Sequence, residues 1–417
     1  MKRAKLAFRA ILGLCALAFV LASCANPSQT ANSSSSKNTV SLKVALGSGP
    51  SRSSKAFSIY SSSNYVFVQV LSQDGATVAS TPLTLNSEGY WSGELSLPDT
   101  DTYYVFEAYV YTAKSGGDLM CSGAKTVEVT GDLMGTSAVT IGVAQISLAG
   151  GSMVGAVPGT YPTTVAFYDD GSSRFNCITT DGRYIYGGTL DGTILQIDML
   201  TGASSTILSG FDSVMGIVYG NGALYASVFG SAGHGAVYKC TEGASSWSST
   251  ALGTGPSITL GQVVQKITYL NGYVYVADHG NNEIVRIDPN SAEDTTEQSL
   301  SGPLGLTTDG GSIYATTAVI SDGVHTGGVW ESSGSAAYTE MLGPLSNSWP
   351  SSLATDGTSY YYFDGDASCL ISWNSDNGSH TLVSGSPISF CSDGINLFYA
   401  DGDNAGRIYR LIPAVLH

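Results

Sequence analysis

The residues best suited to chemistry lie in short polar loops that recur through the second half of the chain. Three of the five histidines fall in such loops, and carboxylates lie beside them or in the equivalent loops. Imidazoles and carboxylates that converge could bind a divalent cation, because oxygen ligands suit calcium and mixed ligands suit zinc. The adjacent pair Asp278 and His279 is the candidate metal site. The candidate ligand-binding residues are His234, Asp278, His279, His325, Trp349, Asp364 and Asp401.

The same loops also have an ordinary structural interpretation. Asp-x-Gly and Asn are common turn formers with solvated side chains. No glycine-rich phosphate loop, Gly-x-Ser-x-Gly motif or His-Glu-x-x-His motif occurs in the sequence. Aromatic residues in connecting loops could stack on a sugar or a peptide; they are Phe211, Phe229 and Trp349. Further loop aspartates are Asp191, Asp322, Asp366 and Asp403.

The polar loops belong to a repeated unit. Each unit has a short apolar run, an Asp-Gly or Asn-Gly turn, an aromatic-rich run, the polar loop and a third apolar run, as in ITYLNGYVYVADHGNNEIVRID at 267–288. A type I′ hairpin requires positive φ at both central residues, which Asn, Asp and Gly allow. We therefore predict two-residue hairpins, and not carboxylate sites, at Asp181-Gly182, Asn221-Gly222, Asn271-Gly272, Asp309-Gly310, Asp356-Gly357 and Asp393-Gly394.

The spacing of the units predicts a β-propeller. The turn glycines lie 40, 50, 38, 47 and 37 residues apart, which matches one four-stranded blade per unit. The last unit lacks a fourth strand, and an unassigned strand at 163–168 precedes the first unit. Placing that strand outermost in the last blade leaves no unpaired edge, so we predict a six-bladed propeller over residues 161–417. Its inner strands should carry Ile178, Ile217, Ile267, Leu306, Leu353 and Phe390.

Two units resemble known propeller repeats. Residues 276–288, VADHGNNEIVRID, resemble the NHL-repeat consensus, and residues 399–410, YADGDNAGRIYR, resemble both it and the related six-bladed YWTD family. The likeness is strong in these two units and loose in the other four. Families of this shape include binding modules, lactonases and lyases, so the resemblance implies a fold and leaves the function open. The Glu and Asn ligands of the lactonases cannot be matched residue by residue, and Glu, which lyase-type propellers pair with His, is nearly absent from these loops.

The preceding segment, residues 39–149, has a different periodicity. Runs such as VSLKVAL and YVFVQVL alternate with period two between turn residues. About seven short strands in about 110 residues predict an immunoglobulin-like β-sandwich. Trp91 and the tyrosines at 103–111 fall on the alternating phase, which predicts core and cross-strand packing. A run of glycines and a proline then predicts a linker at residues 150–160.

The chain begins with export signals. Four basic residues among the first nine precede an apolar run and then Leu-Ala-Ser-Cys at 21–24, which is the order of a secretory signal peptide. The motif resembles a bacterial lipobox and implies cleavage before Cys24 and acylation of that residue. We therefore predict a lipoprotein signal peptide at 1–23, a Ser- and Asn-rich flexible tether at 24–38 and a membrane as partner. Ala25, in place of the Asp that retains many lipoproteins at the inner membrane, favours the outer membrane.

Composition excludes some partners and constrains the cysteines. The 417-residue chain has a formal charge of −16 with 12% charged residues, so it lacks the clustered Lys and Arg that nucleic acids require. Five cysteines remain after Cys15 leaves with the signal and Cys24 is acylated. They are widely spaced without a Cys-x-x-Cys motif, which predicts buried strand residues. A disulfide between Cys369 and Cys391 is the open alternative.

Functions from different classes fit these observations. The first is an extracytoplasmic, membrane-anchored lipoprotein of the cell envelope whose propeller binds a protein, glycan or small molecule at its loop face. The second is a metal-dependent hydrolase or lyase, similar to the lactonase or lyase propellers, that uses Asp278, His279 and a calcium or zinc ion. A purely structural role in the envelope is the third. The sequence contains no coherent catalytic set, which favours the binding function.

Overall fold

The computed structural model describes residues 38–46, 62–87, 90–98, 102–114, 119–130, 138–145, 163–199, 201–230, 234–252, 260–261, 263–291, 294–333, 337–355, 359–376 and 378–412. The regular elements within these ranges are all β-strands, which confirms the all-β class. No helix in the described ranges is long and apolar enough to span a bilayer. The predicted signal peptide, Cys24, nearly all of the tether and the linker at 150–160 lie outside them.

The first seven strands form a closed barrel. Around the barrel they follow the order β1-β4-β3-β2-β5-β6-β7, and β7 pairs in parallel with β1. β3 pairs with both β2 and β4, and β7 with both β6 and β1, so one continuous sheet forms. The predicted strand number is confirmed, and the immunoglobulin-like arrangement is not. The strands are β1 (Asn38–Leu46), β2 (Tyr65–Leu71), β3 (Thr77–Leu85), β4 (Trp91–Leu97), β5 (Thr102–Tyr111), β6 (Leu119–Val129) and β7 (Ala138–Gln145).

In most barrel strands, every second residue faces the interior and contributes to the core, and strand β5 is the exception. Trp91 and Tyr104 are buried inside the barrel, as predicted. Strand β5 is buried on both faces, however. Its Phe106 faces the core with Tyr104, whereas Tyr109 and Tyr111 belong to a separate cluster that includes Ile395 of the propeller. These two tyrosines are buried and pack across strands as predicted, with Tyr111 on Tyr65 of β2 at a centroid distance of 6.2 Å. Their cluster is separate from the barrel core because the second domain covers their side of the strand.

Six four-stranded sheets follow the barrel and form the blades of the propeller. Blades 1 to 3 contain β9 (Phe175–Thr180), β10 (Tyr184–Thr189), β11 (Thr193–Asp198), β12 (Ser204–Ser209), β13 (Val214–Gly220), β14 (Ala223–Val228), β15 (Ala236–Glu242), β16 (Trp247–Leu252), β17 (Val264–Leu270), β18 (Tyr273–Asp278), β19 (Glu283–Ile287) and β20 (Asp294–Ser299). Blades 4 to 6 contain β21 (Pro303–Thr308), β22 (Ile313–Ser321), β23 (Val324–Ser332), β24 (Thr339–Ser346), β25 (Pro350–Thr355), β26 (Tyr360–Asp364), β27 (Cys369–Asn374), β28 (Gly378–Ser384), β29 (Pro387–Ser392), β30 (Leu397–Asp401) and β31 (Arg407–Ile412).

The ring closes as the sequence predicts. Strand β8 (Thr163–Asp169) pairs antiparallel with β31 and becomes the outer strand of blade 6. Each of the first five blades takes its fourth strand from the chain that follows its third, and only the last uses a strand from before the first blade. The predicted six blades and their closure are confirmed. This closure gives β31, the third strand of blade 6, a partner on its outer edge.

The turns between first and second strands are of two kinds. Both central residues have positive φ, as a type I′ turn requires, at Asn221-Gly222 (51° and 76°) and Asn271-Gly272 (52° and 90°). The prediction is wrong for three turns, where only the glycine has positive φ: Asp181-Gly182, Asp309-Gly310 and Asp393-Gly394. In these the aspartate carboxylate accepts two backbone N–H groups of its own turn at 2.7–2.8 Å, and this side-chain bond stabilises a longer turn. Asp356-Gly357 lies outside the described residues.

The five described cysteines are buried and free, as predicted. Burial raises the pKa of Cys177 to about 11 and that of Cys121 and Cys240 to about 12. These thiols are therefore neutral near pH 7 and poor nucleophiles. Cys369 and Cys391 are not bonded to each other, so the disulfide alternative is wrong.

The barrel packs against the face of the propeller that carries the turns of blades 1 and 6. Tyr111 Oη donates to the Gly182 carbonyl oxygen at 3.2 Å, and Ser122 Oγ donates to the Asp393 carbonyl oxygen at 3.0 Å. Ile395 is completely buried among barrel residues. The two domains therefore share an apolar and hydrogen-bonded contact, and the turn face of these two blades is covered.

A tyrosine from the barrel completes the turn of blade 6. In two other blades the turn aspartate accepts a hydrogen bond from a tyrosine five residues later, at 2.8 Å for Tyr186–Asp181 and 3.1 Å for Tyr314–Asp309. The corresponding residue of blade 6 is Phe398, which has no hydroxyl. Tyr109 of β5 donates to Asp393 Oδ2 at 3.1 Å instead.

Candidate functional site

The six inner strands each carry a β-bulge near the end that faces the second-to-third-strand loops, which we call the mouth. In blade 2, for example, the register shifts between Val214 and Gly216, and in blade 5 between Pro350 and Ser352. A bulge leaves a residue outside the ladder and redirects its backbone. The residues at the six bulges are Asn176, Met215, Gln265 with Lys266, Leu304 with Gly305, Ser351 and Ile388.

A small cavity lies on the propeller axis below the bulges. It measures about 30 Å³, which is room for one or two water molecules. A whole sugar or amino acid therefore cannot be enclosed at this depth. The six apolar residues predicted for the inner strands all line it, which confirms that prediction: Ile178, Ile217, Ile267, Leu306, Leu353 and Phe390. Polar atoms in the lining come from Cys177, Lys266, Ser352 and Ser389.

Asp278, a predicted ligand and metal residue, ends strand β18 and is completely buried. Its Oδ2 accepts the backbone N–H of Gly261 at 2.8 Å and Nδ2 of Asn281 at 3.1 Å, and its Oδ1 accepts the backbone N–H of Asn281 at 3.1 Å. Burial raises the pKa of Asp278 although these hydrogen bonds oppose the rise. The carboxylate thus holds the loop after its strand in place.

Asp364 and Asp401 occupy the equivalent strand ends of blades 5 and 6. Asp364 Oδ2 accepts from Ser348 Oγ at 2.7 Å, and its Oδ1 accepts the backbone N–H of Trp349 and Asp366, each at 3.1 Å. Asp401 accepts the backbone N–H of Asp403 at 2.9 Å and Nδ2 of the following asparagine at 2.6 Å. Aspartate at this position therefore holds the mouth loop in place, because its carboxylate oxygens accept hydrogen bonds from residues of that loop or next to it.

The predicted histidines of blades 2 and 3 are His234 and His279. His279 is half-buried, and its Nδ1 has no hydrogen-bond partner among the described residues. His234 is exposed in the loop before β15. Within the described ranges, no group of three or more His, Cys, Asp and Glu side chains is placed to hold a metal ion. A cation at Asp278 and His279 stays a prediction.

Residues of blades 4 and 5 meet at the rim of the mouth. His325 Nδ1 lies 2.8 Å from both carboxylate oxygens of Asp366. The His325 ring also packs on Trp349, with centroids 4.8 Å apart and planes at 59°. The side chains of His325 and Asp366 are 36% and 29% exposed. We call these three residues the rim cluster. The sequence singled out His325 and Trp349, whereas Asp366 appeared only as one more loop aspartate.

An extended hairpin projects beside the rim cluster. Strands β22 and β23 have nine residues each, whereas the other second strands have five or six. The turn at Asp322-Gly323 has φ of 52° and 76°, and large apolar side chains flank it. Val319, Ile320 and Val324 are 37%, 62% and 43% exposed, and the other exposed large apolar residue of the described chain is Tyr273. The run AVISDGV at 318–324, with large apolar residues on both sides of Asp-Gly, carries the signal for this hairpin in the sequence.

The remaining loop and third-strand aromatics pack within the protein. Phe211 contacts Tyr238 with ring centroids 5.0 Å apart, and Phe229 is half-buried. Trp330 Nε1 donates to Thr317 Oγ1 at 2.9 Å, and Trp330 packs on residues of blades 3 and 4. Trp373 packs with residues of blades 4 and 5, as predicted for packing between blades. Trp349 is thus the loop aromatic that joins a polar cluster at the mouth.

Comparison with known proteins adds the following. No protein-family model and no curated protein matches the chain. An auxiliary nutrient binding protein from Bacteroides thetaiotaomicron is 14% identical to this chain, with a TM-score of 0.45. The match covers 82% of this chain and 90% of the nutrient binding protein. A gluconolactonase from Xanthomonas campestris is 13% identical, with a TM-score of 0.47. The match covers 60% of this chain and 89% of the gluconolactonase. A streptogramin B lyase is 14% identical, with a TM-score of 0.41. The match covers 84% of this chain and 98% of the lyase. Such low values say nothing about what this protein binds or catalyses.

Proposed function

We propose that this protein is a lipid-anchored extracytoplasmic binding protein whose propeller takes a ligand at its mouth, on the rim cluster and the neighbouring hairpin. The observation that carries the proposal is the contact of His325 with Asp366 and Trp349, which come from two blades. The anchoring rests on the lipobox at Cys24. Cell-envelope location, with the outer membrane preferred, follows from the same motif.

The chemistry of the rim cluster suits recognition of a ligand. Binding sites combine apolar and aromatic surface with a few fixed polar groups. Trp349 supplies a flat apolar ring, and Asp366 fixes the His325 imidazole through Nδ1, which leaves Nε2 as the second polar atom of that ring. Ile320 and its exposed neighbours extend the apolar surface. Exposed apolar side chains that gather in one place are typical of interaction sites.

The hydrolase or lyase alternative receives no specific support from the geometry. It relies on Asp278 and His279, and the Asp278 oxygens already accept hydrogen bonds from Gly261 and Asn281. Cys177, a thiol in the lining of the axial cavity, is neutral near pH 7 because burial raises its pKa to about 11. We therefore retain ligand binding as the function.

Thermal unfolding with a defined panel of monosaccharides, amino acids and short peptides tests the binding proposal. We expect a compound of the panel to raise the unfolding midpoint by about 2 °C at tenfold above its dissociation constant. Trp349→Ala should abolish this rise, because it removes the apolar ring of the cluster. Tyr273→Ala is the matched control, since Tyr273 is an exposed aromatic at a turn on the opposite face. A rise that survives Trp349→Ala would place the ligand elsewhere.

Metabolic labelling with a radioactive fatty acid tests the anchor. We expect label on the wild-type protein and its recovery with membranes, and loss of both in Cys24→Ser, because the acylated sulfur is removed. Cys15→Ser, in the apolar run of the signal, should retain label. Unchanged labelling of Cys24→Ser would refute the lipobox assignment.

A further inference from the structure

We propose that the propeller axis holds a second binding site, in which Lys266 receives the carboxylate of a small organic acid at the axial cavity. The site goes beyond the rim cluster proposed above and does not depend on it. Lys266 is the third residue of β17, at the bulge of blade 3. Lys266 is one of the residues that line the cavity.

The contacts of Lys266 leave its charge uncompensated. Nζ donates to the carbonyl oxygens of Asn176 at 2.6 Å and Met215 at 3.0 Å, which belong to blades 1 and 2. An ammonium has three N–H donors, so one remains after these two bonds. Within the described residues, no carboxylate lies among those lining the cavity, and Lys266 is the one charged member of the lining.

The surroundings make this isolated charge costly. Burial lowers the pKa of Lys266 because few water molecules can solvate the ammonium. The apolar ring that includes Ile267 and Leu306 lies in the same cavity, so protein groups offer little solvation from that side. Buried charges are ordinarily paired, and an anion in the cavity would supply the missing partner.

The dimensions of the cavity select the chemical class of the anion. About 30 Å³ accommodates one or two water molecules, which is comparable to the two oxygens of a carboxylate group. The rest of the acid must then lie above Lys266, toward the bulges and the mouth. Ser389 Oγ lies in the lining and accepts the backbone N–H of Ile178 at 3.0 Å, so its own O–H can be donated to a carboxylate oxygen. Ser352 Oγ already donates to the Ile388 carbonyl oxygen.

The corresponding residues of the other blades support a specific role for the lysine. The bulges of blades 1, 2, 5 and 6 carry Asn176, Met215, Ser351 and Ile388, none of which is charged. Neutral side chains therefore suffice to build this part of a blade. The lysine of blade 3 is not a requirement of the repeat.

Acetate is the probe for this site, with chloride as the competing anion at equal ionic strength. Purified protein labelled with ¹³C and ¹⁵N in lysine should show a saturable shift of the Lys266 Cε–Hε signal with sodium acetate and not with sodium chloride. Acetate should also raise the unfolding midpoint by about 2 °C over chloride at tenfold above its dissociation constant. The rise should vanish in Lys266→Met, which keeps the aliphatic stem, and persist in Lys239→Met on β15.

The possible outcomes separate the proposal from a purely structural lysine. A shift of the Lys266 signal with acetate, lost thermal response in Lys266→Met and retained response in Lys239→Met would support the site. A Lys266 signal that ignores acetate, or that moves equally with chloride, would overturn it. Should Lys266→Met fail to fold, Lys266→Arg serves to assign the signal, and the wild-type titration still decides. Trp349→Ala should leave the acetate response intact, so failure of the rim proposal is distinguishable.

Discussion

Replacing Arg410 with methionine should lower the free energy of unfolding by about 3 kcal/mol, because removing one partner of a buried charge network leaves the others uncompensated. Arg410 is 9% exposed, and its Nη2 donates to the Gly75 carbonyl oxygen of the barrel at 3.0 Å. Two buried carboxyls, Glu107 and Asp393, lie close enough for its charge to lower their pKa values. Chemical denaturation followed by circular dichroism measures the loss.

The pH dependence identifies the cause of that loss. Burial raises the pKa of Glu107 and Asp393 above their ordinary values of 4.5 and 3.8, and the Arg410 charge opposes the rise. An acid with a raised folded pKa binds more protons folded than unfolded, so its contribution to stability is lost as pH rises from the ordinary value through the raised one. Without Arg410 both values rise further. The difference between wild type and variant should therefore be larger at pH 8 than at pH 5.

Arg407→Met is the matched control, because it removes an arginine from the same strand. Arg407 Nε pairs with Asp169 Oδ2 at 2.8 Å, and both side chains are 42% exposed. Water and salt screen the charges of such an exposed pair, so we expect Arg407→Met to lose clearly less stability than Arg410→Met. Equal losses in the two variants, or a loss in Arg410→Met that does not change with pH, would contradict a buried network at the barrel contact.

Gly182→Ala should destabilise the protein by about 3 kcal/mol, because it adds a steric clash to an unfavourable backbone conformation. Gly182 has φ of 87°, and a Cβ there would lie 2.2 Å from Cβ of Leu119 in the barrel. Part of the cost therefore arises from the contact between the domains. Denaturant unfolding at constant pH provides the measurement.

Gly222→Ala separates the clash from the backbone cost. Gly222 occupies the equivalent turn of blade 2 with φ of 76°, and a Cβ there would meet no atom within 4 Å. We expect a loss of about 1 kcal/mol, from the left-handed conformation alone. If the two alanine variants were equally destabilised, the barrel would not press on the Gly182 turn as described.

Much of the propeller was predictable because each blade repeats its local pattern. The Asn271-Gly272 turn with apolar runs on both sides specifies a hairpin without reference to the rest of the chain. The pattern of the last repeat, with three strands in the sequence, likewise predicted β8 as its fourth strand, and β8 pairs with β31. The aspartate turns were predicted less well, since Asp181 and its equivalents use a side-chain hydrogen bond that dipeptide identity does not reveal.

The barrel contact and the rim cluster were not predictable in the same way. Tyr109 completes the turn of Asp393 across 284 residues, and no local period records that pairing. The sequence held a hint in Phe398, where two other blades have a tyrosine. His325 and Asp366 come from adjacent blades, so their contact depends on how the blades pack side by side. Lys266 escaped notice because a lone lysine in a strand has no motif.

Fluorine NMR of protein labelled with 5-fluorotryptophan tests the central claim most directly. The chain has five tryptophans, and Trp349→Phe assigns the signal of the rim cluster. A compound that stabilises the protein in the thermal panel should shift the Trp349 signal in a saturable way and leave Trp91, inside the barrel, unchanged. Binding that leaves the Trp349 signal in place would contradict a ligand site at the rim between blades 4 and 5.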